Sequence, residues 1–81
     1  MRLPRDLSGQ ELISLLKRYG YESTRQAGSH ILRSNFRGYV HLVTIPDHSN
    51  LRIGTLNSIL SDVADYLGVD RTNLARELFE K

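Results

Sequence analysis

Three histidines, His30, His41 and His48, are the residues best suited to move protons at neutral pH. The chain has no cysteine, which excludes disulfide staples, thiolate zinc sites and a thiolate nucleophile. His30 follows Gly28-Ser29, where a turn meets a strand, so its side chain is expected to be exposed yet held by a rigid element. His41 falls within a strand and reads as structural. His48, in a polar loop beside Asp47 and Ser49, reads as solvated. Spacings of eleven and seven residues, with no helical pair, make a poor metal site. Ser29 and His30 are adjacent, and neighbours on a strand point to opposite faces, so they do not form a nucleophile–base pair. No glycine-rich phosphate loop of standard spacing occurs. Gly54-Thr55, opening a helix with Arg52 alongside, offers amides, a hydroxyl and a cation to a phosphate. The same residues read equally as an ordinary helix start. Spacing alone does not separate a catalytic His30 from a structural one.

The elements that must position these residues follow from periodicity. Ser8-Gly9-Gln10-Glu11 is a capping box. Leu12, Leu15, Leu16 and Tyr19 then recur on one helical face, which predicts a first helix over Gly9–Tyr19, stopped by Gly20. Tyr21–Gln26, His30–Phe36 and Tyr39–Ile45 read as three strands, with Ala27-Gly28 turning after the first and Arg37-Gly38 joining the other two. A two-residue loop there puts His30, Leu32, Ser34, Phe36, Tyr39, His41, Val43 and Ile45 on one face. Pro46 ends the third strand. Leu56, Ile59, Leu60, Val63 and Leu67 predict a second helix from about Gly54 to Leu67. Gly68 stops it, Asp70 caps a third helix, and Leu74, Leu78 and Phe79 return that helix to the core. The order α-β-β-β-α with an added C-terminal helix is an α+β sandwich with helices on one sheet face.

At 81 residues the chain is expected to form one domain, with its core between about residues 8 and 79. An apolar fraction of 40% suits a folded rather than a disordered chain. Met1–Arg5 has no apolar run behind it and reads as no signal peptide, and no apolar run suits a membrane span; a soluble, cytoplasmic protein is expected. Charge is unevenly spread. Met1–Thr55 carries eight Lys/Arg against four acids, a net +4, whereas Leu56–Lys81 carries three against five, a net −2. Nine of the eleven cations are arginine, whose planar fork suits phosphate. The basic portion points to a phosphate-rich partner. Arg25, Arg33 and His30 are expected to share one basic face, with Arg52 beside the second helix start.

Taken in order, these pieces carry a resemblance. Gly28-Ser29-His30, a strand ending Val43-Thr44-Ile45-Pro46, then His48, Leu51, Gly54-Thr55-Leu56 and Ile59-Leu60 together resemble the HicA toxin family. The opening Ser8–Tyr21, with Gly20-Tyr21 where the family often has Gly-Trp, looks like its first helix. The resemblance runs from roughly Ser8 to Phe79. It implies a small bacterial ribonuclease of a toxin–antitoxin pair, with a fold like the double-stranded-RNA-binding domain. His30 would then be the catalytic residue of a metal-free, cofactor-free cleavage of messenger RNA. Gly28 and Ser29 would shape its turn, and a HicB-type antitoxin would bind and cover it. Arg25, Gly28, Ser29, Arg33, Arg52, Gly54 and Thr55 are the expected RNA contacts. The chain departs from the family twice. Arg52-Ile53 stands where Lys-Pro is frequent, losing a helix-start proline but keeping the cation, and Asp62–Leu67 makes the second helix about one turn longer.

Two other readings compete. A non-catalytic RNA-binding module of the same fold would use His30 only as a backbone contact. A helix-turn-helix over residues 63–79 would bind DNA. Against the latter stand the acidic balance of that segment and Asp70 at the start of its would-be reading helix.

Overall fold

The computed structural model describes Leu3–Glu80; Met1, Arg2 and Lys81, which enter the charge split and the leader reading, lie outside the described residues. The elements run α1 (Gly9–Leu16), a 3-10 turn (Lys17–Tyr19), β1 (Glu22–Gln26), β2 (Ser29–Ser34), β3 (His41–Pro46), α2 (Ile53–Leu67) and α3 (Arg71–Phe79). This is the expected α-β-β-β-α order with a further C-terminal helix. The strands form one antiparallel sheet in the order β1-β2-β3. Among the described residues no helix is long and apolar enough to cross a membrane.

The capping box at α1 forms in full: Glu11 N–H donates to Ser8 Oγ at 3.0 Å and Ser8 N–H donates to Glu11 Oε1 at 3.0 Å. The first helix does not stay α-helical to Tyr19. Its last turn tightens into a 3-10 turn, and Gly20, at φ 78°, closes it with an N–H bond to the Lys17 carbonyl. Asp70 caps α3 as expected, accepting from the Thr72 and Asn73 amides.

The β2–β3 hairpin has the expected register but shorter arms. His30 faces Ile45, Leu32 faces Val43 and Ser34 faces His41. Pairing stops there, so Phe36 and Tyr39 leave the buried face and are 58% and 59% exposed. The cause is Tyr66 of α2. Its hydroxyl accepts the Arg37 N–H at 2.9 Å and donates to the Tyr39 carbonyl at 2.6 Å, taking the acceptor that a longer ladder would have paired with the Phe36 N–H, which donates to Ser34 Oγ instead. Arg37 in turn donates through Nη1 to the Leu67 carbonyl at 2.9 Å, closing the C-terminus of α2 beside Gly68.

The core lies between the helices and one sheet face. Leu12 and Leu16 of α1, Leu32 of β2, Ile45 of β3, and Leu56, Leu60 and Val63 of α2 are fully enclosed, and Leu74 and Leu78 bring α3 onto them. β1 is exposed throughout and serves as an edge. Ser34 is buried but satisfied, donating to the Tyr19 carbonyl at 2.8 Å and accepting from the Phe36 N–H.

Candidate active site

Alternation along the strands sorts the candidate residues by face. Arg25, His30 and Ile45 lie in one cross-strand row on the core face. Ser29, Ile31 and Arg33 lie on the other, with Glu22 and Leu42 flanking Arg33. The expected single basic face carrying Arg25, Arg33 and His30 therefore does not exist: a separation of three residues along one strand puts Arg33 and His30 on opposite sides.

His30 is the second residue of β2, just after the turn and close to the expected strand start, but it is not exposed. It is 8% exposed, enclosed where the start of α1 and the end of β3 close over the sheet. The turn itself needs Gly28, which takes φ 76° with no neighbour crowding it. The Gly28 carbonyl accepts the Asp47 N–H at 3.0 Å, extending the β2–β3 pairing beyond Pro46. Asp47 thereby falls two residues past Ile45, the partner of His30, and on the same side of the sheet.

Three side chains converge there. Asp47 Oδ2 accepts from Arg25 Nη2 at 3.0 Å. Gln10 Nε2 donates to Asp47 Oδ1 at 3.4 Å and lies 3.0 Å from His30 Nε2. Asp47 Oδ1 is itself 3.8 Å from His30 Nε2. The other ring nitrogen, Nδ1, is buried and unpartnered. The Arg25 hydrogen bond, helped by Gln10 and opposed by partial desolvation, holds the Asp47 carboxyl below its usual range. Gln10 reaches this place because Gly9 lets α1 dock closely on the strand end. The Gly9 N–H donates to the His48 carbonyl at 3.0 Å, and a Cβ at Gly9 would lie 2.2 Å from the Pro46 carbonyl oxygen.

The remaining candidates are placed apart from this cluster. Arg52 is the exposed N-cap residue of α2, with no side-chain cap bond. Gly54 and Thr55 line an open groove between α2 and β3, shared with Leu42, Thr44, Pro46 and Ser58. His41 is structural: its Nδ1 lies 2.6 Å from Tyr21 Oη and its ring stacks on Tyr66 with centroids 4.7 Å apart. His48 is an exposed loop residue. Among the described residues no three His, Cys, Asp or Glu side chains gather as metal ligands would.

Gln10 and Asp47 are the site residues that sequence reasoning missed. The hairpin register, once set, carries a signal for Asp47. Gln10 has none, because its place depends on how α1 docks.

No curated protein and no solved structure matches the chain significantly. The family model for the HicA toxin of bacterial toxin–antitoxin systems matches residues 9–64, which take in α1, the whole sheet and most of α2 and hold Gln10, Arg25, His30 and Asp47. With well over half of its length matched, from the helix that carries Gln10 through the strand that carries His30 and on into α2, the chain belongs to the HicA toxin family.

Proposed function

We propose that this toxin is an endoribonuclease that cleaves messenger RNA without a metal or cofactor, with His30 as the acid–base group. The observation that carries this reading is the setting of His30, a histidine anchored at a strand start and in polar contact with Gln10 and Asp47. An imidazole is the side chain suited to take and return a proton in one reaction cycle. The Nε2 lone pair removes the 2′-hydroxyl proton, the freed oxygen attacks phosphorus, and the bond to the 5′-oxygen breaks. The imidazolium then protonates that oxygen, leaving a 2′,3′-cyclic phosphate and a 5′-hydroxyl end. Arg25, opposite His30 in the sheet, is suited to the charge that grows on the phosphorane.

RNA would be held by phosphate contacts from Arg25 and Arg52, by the turn of Gly28 and Ser29, and by the Gly54-Thr55 helix start. Arg33, on the opposite sheet face, would reach only a strand that wraps the sheet edge. A HicB-type antitoxin in the cytoplasm would cover the His30 site. The DNA-binding alternative draws no support from α3, whose Asp70 is occupied as a cap and whose Glu77 faces Tyr19 and Arg18.

The test is His30→Ala. RNA cleavage and toxicity are expected to fall roughly a hundred- to ten-thousand-fold, while RNA affinity, carried by phosphate contacts, stays nearly intact. Because His30 is buried, the substitution should cost stability as well, about 1–2 kcal/mol, more than an exposed residue would. A folded His30→Ala protein that cuts at the wild-type rate refutes the proposal. A wild-type protein that binds RNA without cutting it would favour the non-catalytic module instead.

A further inference from the structure

One member of the polar cluster at His30 has no choice of hydrogen-bonding role. An ionised carboxylate only accepts hydrogen bonds. Asp47 remains ionised because Arg25 donates to its Oδ2, so whatever faces its Oδ1 must donate. Gln10 is therefore turned with its NH2 group toward Asp47 Oδ1 at 3.4 Å. The reverse orientation would set two acceptor oxygens against each other. That same nitrogen lies 3.0 Å from His30 Nε2. An NH2 group has two hydrogens, one for each neighbour, so Nε2 receives a hydrogen bond and carries its lone pair. The ring proton of neutral His30 then sits on Nδ1, which has no partner.

We propose that Asp47, acting through Gln10, is a positioning residue that fixes the tautomer of His30, with the proton on Nδ1 and Nε2 as the working nitrogen. The inference rests on the reading of His30 as the acid–base group. Histidine free in water favours the opposite tautomer, with Nε2 protonated and its lone pair on Nδ1. Here that form would aim the only lone pair into a buried place that no polar group reaches. The usual device for orienting an imidazole is an acceptor at Nδ1–H; this site lacks one and sets the ring from the Nε2 side instead. Gln10 is at the surface and can yield the Nε2 lone pair to an incoming 2′-hydroxyl. Once Nε2 has taken the proton, Asp47 Oδ1, 3.8 Å away, faces the imidazolium.

The ring nitrogens report this directly in two-bond hydrogen–nitrogen correlation spectra of the uniformly labelled full-length chain, taken at about pH 8, above the ordinary histidine range. Wild-type His30 is expected to show the Nδ1–H pattern. His41, whose Nδ1 lies 2.6 Å from the Tyr21 hydroxyl, gives a second ring pattern in the same spectrum for comparison. Gln10→Glu places an acceptor against Nε2 and should reverse His30 to Nε2–H, with cleavage falling about a hundred-fold. A carboxylate in the first turn of α1 suits the helix dipole, so this variant keeps its fold. Gln10→Ala should let the ring relax toward Nε2–H. Asp47→Asn, whose single oxygen is taken by the Arg25 guanidinium, turns an NH2 group toward Gln10, reverses the Gln10 amide and should let the ring go to Nε2–H. A wild-type His30 with Nε2–H, a Gln10→Glu ring that does not reverse, or a reversed ring with undiminished cleavage each overturns the positioning role. The ribonuclease reading fails separately, through a His30→Ala protein that still cuts, whatever the ring nitrogens show.

Discussion

Gly9→Ala should damage the protein out of proportion to the single methyl it adds. The new Cβ would lie 2.2 Å from the Pro46 carbonyl oxygen, where real contacts of this kind essentially never fall below 3.0 Å. The obstacle is backbone, so no side chain can rotate out of the way, and α1 must retreat from the end of β3 by about 1 Å, with a cost typical of overpacking, roughly 1–3 kcal/mol. The retreat also stretches the Gly9 N–H bond to the His48 carbonyl, 3.0 Å in the native fold. For a domain of this size each kcal/mol corresponds to about 4–8 °C in Tm. Thermal unfolding should show a loss of at least about 5 °C. Because Gln10 moves with Gly9, RNA cleavage by the still-folded variant should also fall, by up to about a hundred-fold for a displacement of about 1 Å in a group that orients His30. Gly54→Ala is the matched comparison: nothing lies within 4 Å of its Cβ, and alanine in a helix should raise stability by about 0.5 kcal/mol. A Gly9→Ala protein that melts within about 1 °C of wild type would refute the idea that this close approach sets the place of Gln10.

Other outcomes follow from the same structure. Tyr66→Phe strands the Arg37 N–H and the Tyr39 carbonyl and should cost about 1–3 kcal/mol in urea unfolding, whereas an unchanged midpoint would mean that water replaces the hydroxyl. Bonds from the Ser8 amide and then the Ser8 hydroxyl hold the Glu11 carboxyl below its usual range. With a folded pKa below the unfolded one, its contribution to stability is complete above the unfolded value of about 4.3 and disappears as pH falls through the lower folded value. Carboxyl-carbon titration should show this low midpoint, and Glu11→Gln should remove that part of the acid sensitivity. RNA cleavage should persist in excess chelator, since no ligand cluster forms among the described residues; activity that disappears and returns with a divalent ion would contradict the proposed mechanism.

Most of the fold was legible because its elements are punctuated by local chemistry. The capping box at Ser8, the stops at Gly20 and Gly68 and the Asp70 cap all act within a few residues of themselves, and all appear as expected. Hairpin register was legible too, because alternation leaves one pairing that buries Leu32, Val43 and Ile45 together. The hairpin's length was not, since Phe36 and Tyr39 are displaced by Tyr66, a residue about thirty positions away whose hydroxyl substitutes for the ladder. The same division runs through the site. The position of His30 at the strand start was readable; its burial was not, because the cover comes from α1. Arg33 lies on the face away from His30 because the two are an odd number of residues apart along β2. Asp47 could have been found by carrying the register two residues past Ile45, whereas no pattern in the chain marks Gln10.

The two ends of the fold are fastened to each other. Arg18 Nη1 donates to the Glu77 carbonyl at 3.1 Å and the Tyr19 hydroxyl bonds to the Glu77 carboxylate, so the turn that ends α1 holds α3 across nearly the whole sequence. Leu74 and Leu78 add an apolar grip on the core. The link between α2 and α3, by contrast, is thin: Gly68 and Val69 lie at the surface. A protease nick there would cut the covalent path to α3 without releasing it, and the severed helix would stay docked as a non-covalent fragment. In hydrogen exchange α3 should open away from α2, the element it packs on most, before the sheet does, because its ties to Arg18 and Tyr19 are solvent-exposed. The sheet and its polar cluster would then exchange on their own, slower schedule.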